Sequence, residues 1–358
     1  MKKHKWALGF SACLLAFTVF LSLDTFVLSS AYQADATQMN TAMFESAASE
    51  NADESEEEPD SAQEDAAGTT EPQAETTPQA NTESSGKKHK ARKTSAEEAV
   101  QETSEAPAES SPAASADSAE ARTYQNENIS VTLTEQTVNG TAVYVADVRL
   151  ASAEYLKTAF ASDTYGKNVT ANTSAIAAAH DAILAVNGDY YGARERGYVI
   201  RNGVVYRDSA DSADVLCVYA DGTMEIVDPA TVTAQELVER GVWQAFSFGP
   251  ALVEDGAVSV SEGDEVGKAK ASNPRTAVGM IDPLHYVFVV SDGRTDESEG
   301  LSLYELAQFM RTLGVETAYN LDGGGSSTMV FQGEVVNNPT TSGNSIKERG
   351  VSDIVYIG

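Results

Sequence analysis

Cysteine is nearly absent: Cys13 and Cys217 are the only two in 358 residues. Cys13 falls inside an apolar N-terminal run, where it reads as one more small apolar residue. Beyond that run a single cysteine cannot close an intramolecular bridge, so the rest of the chain has to hold itself together through a full hydrophobic core. Leu216-Cys217-Val218 reads as buried strand filler rather than as the setting of a catalytic thiol. Histidine is almost as scarce, with four in all, and only His180 and His285 lie where the sequence looks folded. Both look like structural neighbours of strands. There is no HExxH, no Cys/His spacing suited to a metal and no GxSxG, which leaves zinc hydrolysis and Ser-His-Asp chemistry without support. Positive charge is also short, 24 Lys and Arg against 54 Asp and Glu for a net charge of −30. Internal repeats are missing too.

The chain starts with Lys2, Lys3 and Lys5, followed by an apolar run from Trp6 to Leu23 that is interrupted at Asp24. Positive charge before about 18 apolar residues fits either a membrane anchor or a long signal peptide with a cleavage site at Ser29-Ser30-Ala31. The length favours a retained single-pass anchor over residues 1–32, with the lysines inside and the rest extracytoplasmic; cleavage would leave a secreted protein. An exported chain has little use for nucleic acid. Residues 33–122 are Ala, Glu, Ser, Thr, Pro and Gln with almost no large apolar side chain. Such a stretch buries too little surface to offset its ordering entropy and reads as a disordered acidic tether. Its basic island, Lys87-Lys88-His89-Lys90-Ala91-Arg92-Lys93, either grips an anionic polymer or membrane surface or balances charge in a solvated tether.

From residue 123 to 358 the pattern is many short strands and few helices. Alternating or valine-rich runs mark strands at 129–133, 142–150, 182–186, 198–201, 204–207, 215–219, 224–227, 243–248, 286–290, 316–320, 328–331 and 351–357. Residues 156–161 read as a short helical or irregular piece. Helices are expected over 174–181, over 233–240 with Thr231 or Thr233 as cap, and over 303–313, where Leu303, Leu306, Phe309, Met310 and Leu313 share a face ahead of Gly314. The fold class that follows is α+β: a single domain with a mixed, partly antiparallel sheet and few helices.

Chemistry-bearing residues collect just past strand ends. Asn187-Gly188-Asp189-Tyr190-Tyr191 follows a buried strand and is either a plain turn or a site wall, the paired tyrosines offering faces for sugar rings. Arg275, after Pro274 at a strand mouth, either clamps a phosphate or carboxylate or makes a salt bridge to a neighbouring strand. Asp292 ends the apolar run 286–290. Asn320-Leu321-Asp322-Gly323-Gly324-Gly325-Ser326-Ser327 is either a tight turn or an anion cradle of converging N–H groups. Three strand-end acids, an arginine and a Gly-rich turn in one pocket would suit glycosyl or phosphoryl chemistry.

Taken together, VNGDYY (186–191), NPRTAVGM (273–280), VSDGR (290–294), NLDGGGSSTMV (320–330), NNP (337–339) and RGVSDIVYI (349–357) resemble the phosphodiester glycosidase family. That family includes the lysosomal enzyme that removes N-acetylglucosamine from a sugar-phosphate diester and bacterial members labelled as exopolysaccharide biosynthesis proteins. The likeness covers roughly residues 126–358. It implies an extracytoplasmic hydrolase that splits a sugar-1-phosphodiester in a cell-surface glycan or exopolysaccharide, with a glycan or sugar-phosphate polymer as its partner. A non-catalytic module that binds wall polysaccharide or teichoic acid is the alternative. Under the resemblance Asp322, Asp189 and Asp292 are the catalytic candidates, with one of Asp322 and Asp189 as nucleophile or base and the other stabilising the cationic transition state. Arg275 and the N–H groups of Gly323, Gly324, Gly325 and Ser326 would hold the phosphate, and Asn187 and Asn338 the sugar hydroxyls. Tyr190, Thr276, Asn320, Ser327 and Arg349 complete the substrate-binding set. No cofactor is implied, and no spaced ligand loop argues for a divalent cation.

Overall fold

The computed structural model describes residues 5–26, 28–45, 121–266, 272–342 and 345–358. The acidic segment from 46 to 120, with the basic island read as either a polymer or membrane grip or charge balance, lies outside the described residues. The N-terminal apolar segment forms a helix, Lys5–Phe26, whose side chains are described from Phe10 to Leu23. Among the described residues no helix is long and apolar enough to cross a membrane.

Among the described residues, three large antiparallel sheets and one two-stranded sheet build the domain. The largest has eight strands in the order Ala257–Val258, Ala251–Glu254, Thr317–Asn320, Arg275–Asp282, His285–Ser291, Thr141–Leu150, Ile129–Val138 and Arg122–Gln125. One five-stranded sheet runs Glu334–Val335, Met329–Phe331, Leu184–Asn187, Asp353–Ile357, Leu156–Phe160. The other runs Met224–Val227, Val215–Tyr219, Val242–Phe246, Val199–Arg201, Val204–Arg207.

Period-two alternation divides each strand between two cores. Tyr144, Ala146, Val148, Phe288 and Val290 of the large sheet join Leu184, Val186, Leu216, Val218, Phe331 and Val355 of the smaller sheets in one central cluster. The odd-numbered neighbours Val143, Val145, Val287 and Val289 face the other way, onto Leu303, Leu306, Phe309 and Met310 of the helix Leu303–Thr312. That helix starts at a capping box between Ser302 and Glu305, which satisfies two otherwise orphaned donors. The helices Thr173–Ala179 and Ala234–Glu239 cover the outer faces of the two smaller sheets in the same way.

Three expectations are corrected. Every described strand pairing is antiparallel, so the sheets are not mixed. The helices are short and cover sheet faces, whereas parallel pairing needs long crossover connections. Residues 156–161, expected to be helical or irregular, form the strand Leu156–Phe160, because the edge of Asp353–Ile357 offers it a full antiparallel register. The segment assigned to the tether does not begin at residue 33: residues 30–45 lie on the domain. Ser30–Gln33 is a strand paired with Tyr165–Lys167. Ala36 is buried there and the Phe44 ring packs edge-on against Trp243 at 4.8 Å.

Candidate active site

The three sheets meet at one end, and the register explains why the acids gather there. Ile354 lies opposite Asn187, so the end of Leu184–Asn187 and the beginning of Asp353–Ile357 coincide. Gly188 N donates to Asp353 O at 3.0 Å. A Cβ on Gly188 would sit 2.3 Å from Asp353 Oδ1, so the Asp353 carboxylate fills the space that a side chain at 188 would need. The large sheet is tied in by Asn187, whose Nδ2 donates to Asp322 O at 2.6 Å, while Asp322 N donates to Gly188 O at 3.3 Å. The third sheet is tied in by Ser247, whose N–H donates to Asp189 Oδ2 at 3.1 Å.

A cleft of about 370 Å³ opens at this junction, lined by Asn168, Thr170, Asp189, Tyr190, Asp322 and Arg349 among others. Two of the three expected acids share it. Asp189 is buried, and its Oδ1 accepts from Tyr191 N at 3.1 Å and faces Arg201 Nη2 at 3.1 Å. Arg201 also donates from Nε to Asp353 Oδ2 at 2.8 Å, with Nη2 at the same distance. The guanidinium lies over the Phe246 ring at 4.4 Å. Two fully buried carboxylates therefore share one arginine. Burial raises the Asp353 carboxyl above the ordinary carboxylate range; Arg201 opposes the rise and the like charge of Asp189 adds to it. Neither Arg201 nor Asp353 was singled out from sequence. The available signal was a charged residue within an apolar strand, which a fold admits only with a partner.

Asp322 stands on the opposite wall, its side chain 14% exposed. Its Oδ2 accepts from Ser326 Oγ at 2.5 Å and from Arg349 Nη2 at 2.9 Å. Arg349 Nε also donates to Ser326 Oγ at 3.1 Å. Burial pushes the Asp322 carboxyl up, with Arg349 and then Ser326 pulling it down. Arg349 is 40% exposed, which leaves it accessible to a ligand in the cleft. Of the paired tyrosines, Tyr190 lines the cleft at 45% exposure, whereas Tyr191 is buried and stacks on Tyr165 at 5.3 Å.

Three N–H groups of the Gly-rich turn have partners within the fold. Gly324 N donates to Pro274 O at 2.8 Å, Ser326 N to Gly323 O and Ser327 N to Gly324 O, so these donors are used within the fold. The glycines also answer to packing. A Cβ on Gly323 would lie 2.9 Å from Pro274 O, one on Gly324 2.7 Å from Arg294 Nη2, and one on Gly325 2.8 Å from Thr341 Oγ1. The turn, Gly324–Ser326, thereby carries Ser326 back onto Asp322.

The other expected residues brace the site from behind. Asn187 Oδ1 accepts from Thr276 Oγ1 at 2.8 Å and Thr328 N at 3.3 Å, so both Asn187 and Thr276 serve as brackets between sheets. Asn320 Nδ2 donates to Gly249 O at 2.8 Å, and Ser327 is fully buried. Asp292 does not line the cleft. It is buried, and it accepts from Asn338 N at 2.8 Å and Asn338 Nδ2 at 2.9 Å, holding the 337–338 loop in place. Arg275 makes a salt bridge, to Glu265 in the loop before its own strand and not to a neighbouring strand. It is buried, pairs with Glu265 at 2.7 Å and donates from Nε to Leu301 O at 2.8 Å. Among the described residues no group of three or more His, Cys, Asp or Glu side chains is placed to hold a metal ion.

A family model described as phosphodiester glycosidase matches residues 180–358. The chain is 30% identical over 165 residues to the Bacillus subtilis SPbeta prophage-derived uncharacterized protein YomE, spanning 44% of this chain and 25% of that one. It is 34% identical over 120 residues to the Mus musculus N-acetylglucosamine-1-phosphodiester alpha-N-acetylglucosaminidase, spanning 32% of this chain and 23% of the mouse protein. It thus spans about a quarter of the length of these curated relatives. The fold is similar to that of the zebrafish N-acetylglucosamine-1-phosphodiester alpha-N-acetylglucosaminidase catalytic domain, with a TM-score of 0.51 at 19% identity over 66% of this chain and 87% of that one. The matched half includes Asp189, Asp322, Arg349 and Asp353, all gathered at one sheet junction, and on that footing the chain belongs to the phosphodiester glycosidase family.

Proposed function

We propose that the protein hydrolyses a sugar-1-phosphodiester, and that it does so outside the cytoplasm on a cell-surface glycan or exopolysaccharide, carried by its N-terminal helix. The carrying observation is that Asp189, Asp322 and Arg349 share one cleft with the exposed Tyr190. A phosphate is already a fair leaving group, so the reaction needs charge stabilisation more than it needs an acid. Arg349 takes the part expected of Arg275: it reaches the cleft with part of its guanidinium beside Asp322, and it meets the departing phosphate oxygens. Asp322 acts as base toward water, since a carboxyl raised by burial is a better proton acceptor than an ordinary one. Asp189, held by Arg201 and two backbone N–H groups, is the fixed negative charge that stabilises the cationic sugar. Tyr190 offers a face to the sugar ring.

The test is turnover of a panel of sugar-1-phosphate diesters, wall teichoic fragments included, by the purified chain. The expected result is phosphate-side product release with at least one diester, and a loss of ~100-fold or more in kcat for Asp322→Asn with unchanged melting. Glycan binding without hydrolysis of any diester would sink the enzyme reading and leave a binding module.

A further inference from the structure

We infer that residues 28–45 form a clasp that holds the domain to the end of the N-terminal helix without help from the covalent path through residues 46–120. The domain is shaped to receive it. Ser30–Gln33 adds to Tyr165–Lys167 in antiparallel register. Ala36 N donates to Asp163 O at 2.6 Å and Asn40 N to Asn202 O at 2.8 Å. The Tyr32 ring meets Tyr165 at 5.6 Å and Phe44 meets Trp243 at 4.8 Å. Two domain glycines make room. A Cβ on Gly166 would lie 2.4 Å from Ser30 O, and one on Gly203 would lie 2.9 Å from both Asn40 Cβ and Met43 Cε. With side chains at those two positions the segment could not seat.

Distance makes the consequence large. Between Phe26 at the helix end and Ser30 on the domain there are three residues, a reach of at most about 15 Å. Had residues 46–120 been the spacer, the domain would range roughly 50 Å away as coil and about 250 Å at full extension. With the clasp, residue 45 is already on the domain that resumes at residue 121. The clasp also puts the helix end beside the cleft, because Leu28 O accepts from Asn168 Nδ2 at 3.1 Å and Asn168 lines the cleft wall. The cleft therefore meets groups near whatever the helix is seated in, and not groups a linker's length away.

The experiment uses the full chain with a site-specific protease sequence inserted near residue 80. After complete cutting at about 10 μM, a concentration that a micromolar contact survives, the two fragments are run together on a sizing column. Co-elution is expected, as is slow amide exchange across residues 30–36 before and after the cut. Gly166→Ala, which adds one methyl group where Ser30 O sits, is expected to raise release at least tenfold while the domain keeps its melting temperature. Separation of the fragments in the wild-type sequence, or equal retention by Gly166→Ala, would overturn the inference. Neither readout depends on activity.

Discussion

Replacing Arg201 by Met is the most demanding test of the site architecture. The side chains of Arg201, Asp189 and Asp353 are 1%, 1% and 0% exposed, so water cannot take over the lost partner's role. Removing one member of a buried ion pair costs about 3–5 kcal/mol. Here one deletion strands two carboxylates, which puts the expectation at the upper end, about 4–5 kcal/mol, or a melting temperature lower by roughly 8–20 °C for a domain of this size. The pH dependence follows from the direction of the Asp353 shift, which is already upward and rises further without Arg201. A carboxyl raised in the fold contributes its stability in full below the unfolded value and loses it as pH rises through the folded value. The Arg201→Met deficit should therefore be greatest near about pH 7.5 and shrink toward about pH 5, as the stranded Asp353 carboxyl takes up a proton. Thermal unfolding followed by circular dichroism at both pH values measures this. Adding Asp353→Asn removes one stranded charge, and the double variant should recover about 2 kcal/mol relative to Arg201→Met. If Arg201→Met melts within ~2 °C of wild type at both pH values, or if its deficit grows toward acid, the argument for a shared buried arginine fails.

Because burial raises the Asp322 carboxyl, the acid limb of kcat/KM should lie above the ordinary carboxylate range, and Arg349→Met should move it further up; a pH–rate profile with no upward movement would remove Asp322 as base. Gly188→Ala places a methyl group against Asp353 Oδ1 and should destabilise by ~1–3 kcal/mol, readable by urea denaturation, while lowering kcat because Asp189 is the next residue. Arg275→Met leaves Glu265 without its partner and should act on melting temperature far more than on KM for the diester. A KM rise of ~10-fold or more with intact melting would return Arg275 to the phosphate, since such a change is worth about 1.4 kcal/mol of binding.

Legibility in the sequence followed the range of the interactions. The helix Leu303–Thr312 and most strands of the central core, though not Leu156–Phe160, were readable because period and caps are local properties. Asp189, Asp322, Arg349 and Tyr190, which line the cleft, could be picked out from sequence because strand-end polar clusters and the motif set mark them. Arg201 and Asp353 were passed over, since each sits in an apolar strand and acquires meaning only from the other, 152 residues away. Arg275 and the Gly-rich turn carried two readings each, and local sequence could not choose between them. The structure pairs Arg275 with Glu265 and packs the three glycines against Pro274, Arg294 and Thr341.

The sequence by itself determined that a strand-rich domain lies beyond an apolar N-terminal segment, and that polar clusters sit past its strand ends. Alternation and turn residues act over a few positions, and they suffice for that. Only the tertiary structure decided which acids share the cleft, that one buried arginine serves two of them, and that residues 30–45 belong to the domain and not to the linker. Those outcomes depend on antiparallel register between strands far apart in sequence, and register is set by which faces are buried together.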